Sequence, residues 1–203
     1  MRALVLVDLQ NDFMPGGPLG VSGGDETVPL ANALMARVDL VVATQDWHPA
    51  GHASFASRHP GRAPGDVVDL DGLRQTLWPD HCVQDTPGAA FHPALDTAAV
   101  AHVVRKGTDP RVDSYSGFFD NGQRRATGLD AYLRERGVRA VFVCGLATDY
   151  CVRFTVLDAL ALGYETRVVV DACRAVDLTA GDGTRALAAM RAAGATLVAG
   201  ADV

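Results

Sequence analysis

Residues 140–151, Ala-Val-Phe-Val-Cys-Gly-Leu-Ala-Thr-Asp-Tyr-Cys, run from an apolar strand through a turn of small residues to a cysteine that opens a helix. With Thr148 as the N-cap, Cys151 takes the third helical position. Unpaired backbone N–H groups and the positive end of the helix dipole there favour a thiolate, and the same N–H groups offer a seat for an oxyanion. Free cysteine is also among the most buried residue types, and Cys144 on the preceding strand reads as a plain core thiol. Taken alone, Cys151 would be read the same way.

Its companions change that reading. Asp8 follows the apolar run Ala3–Val7, Asp46 and His48 follow Leu40–Thr44, and Lys106 follows His102–Arg105. In an open parallel sheet, ligands bind beyond the carboxyl ends of the strands, so these residues converge on one rim. Asp8 by itself is an ordinary turn aspartate and Lys106 an ordinary solvated terminus. Together with Cys151 they supply a nucleophile, a base to take its proton and a cation to hold the base ionised, the parts that acyl transfer requires. Asp46 and His48, two apart on an extended segment, point the same way, and oxygen plus imidazole donors suit a borderline divalent metal. His81, in Trp78-Pro79-Asp80-His81-Cys82, adds a third donor from a distant loop.

Six short strands position this set: Ala3–Val7, Leu40–Thr44, His102–Arg105, Ala140–Cys144, Thr166–Val170 and Thr196–Val198. Helical stretches alternate with them, which predicts a parallel sheet covered on both faces. Thr127 and Asp130 form a capping pair for one helix, which Gly137 ends, and Gly163 and Gly194 stop two later ones. From Trp47 to Pro93 the pattern lapses: Pro, Gly and His are frequent and helical periodicity shows only near Leu70–Leu77. Both tryptophans and five of the six histidines lie in this stretch, which marks it as a binding region rather than a disordered one. His59, His92 and His102 lack acidic or cysteine company and read as structural.

The 203 residues, 48% hydrophobic, suffice for one core and predict a single domain over 1–203, with a metal- and substrate-binding loop region at about 45–93. A formal charge of −6 without a basic run argues against nucleic acid and anionic membranes and for a small-molecule partner. The N-terminus has too short an apolar run for a signal peptide or membrane span, which predicts a cytoplasmic protein. Four scattered cysteines without a C-x-x-C pair exclude a zinc knuckle and argue against a disulfide framework. Whether the chain stays a monomer or forms a homo-oligomer is open.

Six segments give the chain a resemblance to a known family: Val7-Asp8-Leu9-Gln10-Asn11-Asp12-Phe13, Gln45-Asp46-Trp47-His48-Pro49, Trp78-Pro79-Asp80-His81-Cys82, Arg105-Lys106-Gly107, Tyr115-Ser116-Gly117-Phe118 and Gly145–Cys151. It resembles, nearly end to end, the nicotinamidases of the cysteine hydrolase superfamily that also holds the isochorismatases. The resemblance implies a three-layer α/β/α isochorismatase-like hydrolase fold around a six-stranded, mostly parallel sheet. It also implies hydrolysis of nicotinamide to nicotinate and ammonia through a cysteine thioester, a step of NAD salvage, with pyrazinamide as a related substrate. Catalysis would fall to Asp8, Lys106 and Cys151. A cis peptide at Leu146-Ala147 would let the N–H groups of Ala147 and Cys151 form the oxyanion hole. One divalent metal, zinc ahead of iron or manganese, would sit on Asp46, His48 and His81, and some relatives add a histidine near the position of His52. Phe13, Trp78, Tyr115 and Ala147 would wall a flat slot for the ring. Two alternatives stay open: another amidase or a vinyl-ether hydrolase of the same superfamily, and a catalytically silent metal- or ligand-binding protein on the same fold.

Overall fold

The computed structural model describes residues 1–203. Its strands are β1 (Arg2–Val7), β2 (Leu40–Asp46), β3 (Val67–Leu70), β4 (Leu73–Thr76), β5 (His102–Lys106), β6 (Ala140–Leu146), β7 (Glu165–Arg174) and β8 (Thr196–Val198). Its α-helices are α1 (Thr27–Met35), α2 (Leu129–Glu135), α3 (Arg153–Ala161) and α4 (Asp182–Ala192). Six strands form one sheet in the order β5-β2-β1-β6-β7-β8, with every neighbouring pair parallel.

The central strands are apolar on both faces, as a doubly covered parallel sheet demands. In β1 every residue after Arg2 is buried, and β6 is buried throughout. Helix α1 packs over β1, β6 and β7, whereas α3 packs on β6, β7 and α4. Right-handed crossovers put α1, in the β1-to-β2 connection, on one face, and α2, α3 and α4, in the β5-to-β6, β6-to-β7 and β7-to-β8 connections that run the opposite way along the sheet, on the other. The result is three layers around a cluster of 44 buried residues. The chain changes direction between β1 and β6, so a crevice opens at their carboxyl ends, where Asp8 and the turn to Cys151 both emerge.

All six predicted sheet strands are present, and several run further than their apolar cores suggest. β2 extends to Asp46 and β5 to Lys106, so that the two residues are register partners at the sheet edge. Gly137, Gly163 and Gly194 lie just beyond α2, α3 and α4. No helix is long and apolar enough to cross a membrane.

Three local expectations are corrected. The segment near Leu70–Leu77 is the β3–β4 hairpin, not a helix. The helix-like spacing of Leu70, Leu73 and Leu77 hid the Asp71-Gly72 turn, whose φ angles of 52° and 83° are those of a tight hairpin loop. Thr127 does accept the Leu129 N–H at 3.2 Å, but Asp130 does not turn back to complete the pair; its carboxylate takes Arg134 and the Tyr164 hydroxyl instead. Thr148 makes no capping hydrogen bond; the preceding Ala147 is the extended residue before a π-turn over Thr148–Val152. The long irregular stretch is tied down by isolated bridges, His48 to Val83, Phe55 to Trp78 and Gln10 to Phe91.

The approach of β1 to β6 leaves no room at Gly145, whose φ is +118° and where a Cβ would lie 2.1 Å from the Val7 carbonyl oxygen. Gly145→Ala is therefore expected to destabilise the protein by at least about 2 kcal/mol, read as a lowered denaturation midpoint. A wild-type midpoint for this variant would refute the close-approach account.

Candidate active site

The segment after β1 acts as a clamp. Asp8 is fully buried with φ 50°; its N–H donates to Thr44 Oγ1 at 3.2 Å, and the Thr44 hydroxyl donates back to Asp8 Oδ1 at 2.6 Å. Gln10 grips the backbone of Asp46, accepting its N–H at 2.7 Å and donating to its carbonyl at 2.8 Å, with a second donation to Ala89 O at 2.9 Å. Asp12 accepts the Cys82 N–H at 2.7 Å, which fixes the Trp78–Cys82 loop against the same segment.

Lys106 lies at the centre with no exposed side-chain surface. Its Nζ is 2.9 Å from Asp8 Oδ2 and donates to Asp46 Oδ1 at 2.5 Å, to Ser114 O at 2.9 Å and toward Cys151 Sγ at 3.4 Å. Cys151 Sγ and carboxylate oxygens of Asp8 and Asp46 lie within 4.8 Å of one another. Asp8 Oδ2 has no polar partner other than this Lys106 ammonium. The Leu146–Ala147 peptide is cis, and the Ala147 carbonyl accepts the N–H groups of both Tyr150 and Val152.

Burial and charge set the protonation states. Burial works against the Lys106 ammonium, but Asp46 and Asp8 overcome it and hold its pKa well above the usual lysine value. Burial raises Asp46, yet Lys106 and His48 outweigh it and keep this carboxyl well below the ordinary range. Burial also raises Asp8; Lys106 offsets part of that, and the charge on Asp46 adds to it. Cys151 is pushed well above the usual thiol value by burial, which Lys106 only partly counters while Asp8 and Asp46 reinforce it. This corrects the thiolate expected from a helix start: two neighbouring carboxylates and loss of water outweigh the dipole, and the resting group is a thiol.

The expected metal donors meet. Ligand atoms of Asp46, His48 and His81, all buried, lie within 4.8 Å of one another. His48 Nδ1 bonds the Gly107 carbonyl at 2.9 Å and His81 Nδ1 the Pro79 carbonyl at 2.8 Å. A carbonyl only accepts, so each Nδ1 carries the proton and each Nε2 presents a lone pair, the orientation that metal-bound histidines adopt. Those Nε2 atoms are 3.6 and 3.8 Å from Asp46 Oδ2, and His48 Nε2 is buried without a hydrogen-bond partner. Gly107, φ +65°, makes room for this: a Cβ there would lie 2.4 Å from His48 Cε1. His52 does not join the triad. Its Nδ1 accepts the Ser54 N–H at 3.1 Å, which leaves the proton on Nε2, and its ring packs 4.6 Å from that of His48 as support.

A narrow pocket, partly open to solvent, runs from Cys151 to Asp46 and His81. The expected Phe13, Trp78, Tyr115 and Ala147 all line it. Trp78 Nε1 donates to Tyr115 Oη at 3.1 Å, and Tyr150 meets the Trp78 ring edge-on at 4.7 Å. The sequence reading missed Asp113 and Tyr150 as walls, together with Leu19 and Val176. Tyr150 is adjacent to Cys151, and Asp113 stands two residues before Tyr115, where alternation alone would have brought it to the same side. Gln10 and Thr44 were also missed, because their contribution is to hold other residues' backbones. His59, His92 and His102 stay structural: His59 bonds Ala53 O, His92 accepts the Ala94 N–H, and His102 stacks on Tyr132.

Comparison with known proteins agrees with this geometry. A model of the isochorismatase domain matches residues 2–202. The nicotinamidase of Escherichia coli is 56% identical over 99% of this chain and 96% of its own length. The nicotinamidase/pyrazinamidase structure from Acinetobacter baumanii superposes with a TM-score of 0.96 at 44% identity, covering 99% of this chain and 97% of that one. The pyrazinamidase of Pyrococcus horikoshii, solved in complex with zinc, superposes with a TM-score of 0.79 at 40% identity over 98% of both chains.

A raised thiol pKa leaves the thiolate a minor form that grows tenfold per pH unit. In metal-free protein, alkylation of Cys151 by iodoacetamide should therefore climb steadily from about pH 6 to 9. A rate that levels off below neutrality would mean a preformed thiolate and overturn the assignment.

Proposed function

This chain belongs to the isochorismatase-domain family, and from that premise we propose that the pocket beside Cys151 is where it hydrolyses nicotinamide to nicotinate and ammonia. The observation that carries the reading is the meeting of a buried thiol, carboxylate and ammonium beside a histidine–carboxylate triad, at one end of a slot walled by aromatic rings. The reaction is an amide hydrolysis and serves NAD salvage. Residues 1–203 act in it as one domain, since four strand ends and the 45–93 loop region build a single pocket.

Cys151 attacks the carboxamide carbon as its proton passes to Asp8, whose raised pKa makes it a competent base. Lys106 compensates the charge on Asp8 and keeps it in place. The N–H groups of Ala147 and Cys151 receive the tetrahedral oxyanion, each contact of this kind contributing about 3–4 kcal/mol. Collapse breaks the C–N bond; Asp8 returns the proton to the departing ammonia, and a thioester remains on Cys151. A water then adds to the thioester carbonyl with Asp8 taking its proton, and release of nicotinate restores the thiol. Asp46, His48 and His81 would hold one divalent ion, zinc by analogy with the Pyrococcus horikoshii complex, with iron or manganese suited to the same donors; when bound it would supply Lewis acidity beside the ring. Phe13, Trp78 and Tyr115 stack on and bound the ring. Vinyl-ether cleavage would leave the thiol without a task, and a silent binding protein would not need the Asp8–Lys106–Cys151 contact.

Ammonia release from nicotinamide by metal-loaded protein tests the reading. Cys151→Ala and Asp8→Asn should each lower kcat by about a thousandfold or more. Wild-type protein that releases no ammonia, or a Cys151→Ala variant with undiminished turnover, would sink it. Trp78→Ala should raise KM about tenfold, worth about 1.4 kcal/mol, with a smaller change in kcat; unchanged kinetics would remove Trp78 from the slot.

A further inference from the structure

One buried acid in the pocket has no part in the chemistry above. Asp113 is 4% exposed and lines the pocket, with its Oδ1 4.0 Å from His48 Nε2. It is held from two sides. Oδ1 accepts the Ser114 N–H at 2.7 Å, and Oδ2 accepts Gln75 Nε2 at 3.0 Å. Gln75, 2% exposed on β4, also donates to Tyr115 Oη at 2.9 Å, which ties Asp113 to the aromatic wall. Its donor atoms fall outside the Asp46–His48–His81 group, so it stands next to the triad without belonging to it.

Charge explains why an acid belongs there. Asp8, Asp46 and Asp113 bury three carboxylates around the pocket, against the one ammonium of Lys106. The formal sum is −2, with both triad histidines neutral, and buried charge without compensation is costly. Asp12 and Asp149 do not line the pocket; Asp12 takes the Cys82 N–H, and Asp149 takes the N–H groups of Val176 and Asp177. One divalent cation on the triad brings the cluster to neutrality. Without Asp113 the same ion would leave an excess positive charge. The Asp113 carboxylate also lies close to the point where the cation would sit, its Oδ1 being 4.0 Å from the His48 Nε2 that faces that point.

We infer that Asp113 is a positioning residue for a divalent cation: held by Gln75 and Ser114 beyond ligand reach, it supplies the last negative charge that the Asp46–His48–His81 site needs. The inference rests on the metal assignment of the proposed function, not on its substrate. It gives the β3–β4 hairpin a purpose, because Gln75 couples the cation wall to Tyr115 and Trp78 on the ring wall.

Competition with a chromophoric chelator on the stripped full chain tests it, with zinc and manganese as probes. Asp113→Asn should weaken the affinity for both ions 10- to 100-fold, the range typical of residues just outside a metal's ligands, and Asp113→Glu should recover part of it. Thermal unfolding separates charge from packing. Metal-free Asp113→Asn should melt at or above the metal-free wild type, because an uncompensated buried charge is gone, while its stabilisation by added zinc should shrink. Wild-type affinity in Asp113→Asn, or a metal-free variant that melts low while binding zinc normally, would overturn the inference. No arm contains nicotinamide, so Asp113-dependent zinc binding in a protein that releases no ammonia supports this inference and overturns only the substrate.

Discussion

A lysine ammonium removed from water costs several kcal/mol unless every donor finds a partner, and the site of this protein is organised around meeting that requirement for Lys106. Its Nζ is ringed by Asp8, Asp46, the Ser114 carbonyl and Cys151. The same contacts determine what each partner can do. Asp46 sits closest and is driven fully to its ionised form, as a metal ligand must be. Burial raises the Asp8 carboxyl, the shared cation only partly offsets that and the charge on Asp46 adds to it, so Asp8 stays the more basic of the two. Cys151 sees two acids and one ammonium and remains a thiol until a base acts on it. One buried cation thus divides two similar aspartates into different roles.

The sheet makes this arrangement possible because three of the four groups are delivered by adjacent strand ends. β1 lies between β2 and β6, so Asp8 emerges beside both Asp46 and the turn to Cys151. Register brings Lys106 opposite Asp46. The backbone is shaped to match: Gly145 lets β6 come against Val7, and Gly107 lets His48 fold back over the end of β5. Side-chain amides and hydroxyls replace the ladder bonds lost where the strands stop. Gln10 holds the backbone of Asp46, and Thr44 holds Asp8.

Around this centre the long loop region forms two walls. His48 and His81, each fixed through Nδ1 to a carbonyl, make one wall and turn their free Nε2 atoms toward Asp46. Trp78, Tyr115 and Phe13 make the other, aromatic wall. Gln75 joins the two through Asp113 and Tyr115, so the irregular segments are locked by buried polar bonds rather than by regular structure.

The amino-acid sequence by itself determined the strand set, the chemical types at the strand ends and the Asp46, His48 and His81 that meet beside them, because apolar periodicity reports burial and because residues that follow separate parallel strands have one shared destination. Local patterns misled where two signals overlapped: leucine spacing over 70–77 hid an Asp-Gly hairpin turn, and a helix start at Cys151 suggested a thiolate. Tertiary structure alone decided the protonation states, since they depend on burial and on charges brought from about 100 residues away. It also decided that His52 supports the triad instead of joining it, because a hydrogen bond from Ser54 selects which ring nitrogen is free. Gln10, Thr44 and Gln75 were invisible for the same reason: their work is done on groups distant in the chain, and no spacing in the sequence records a contact across the fold.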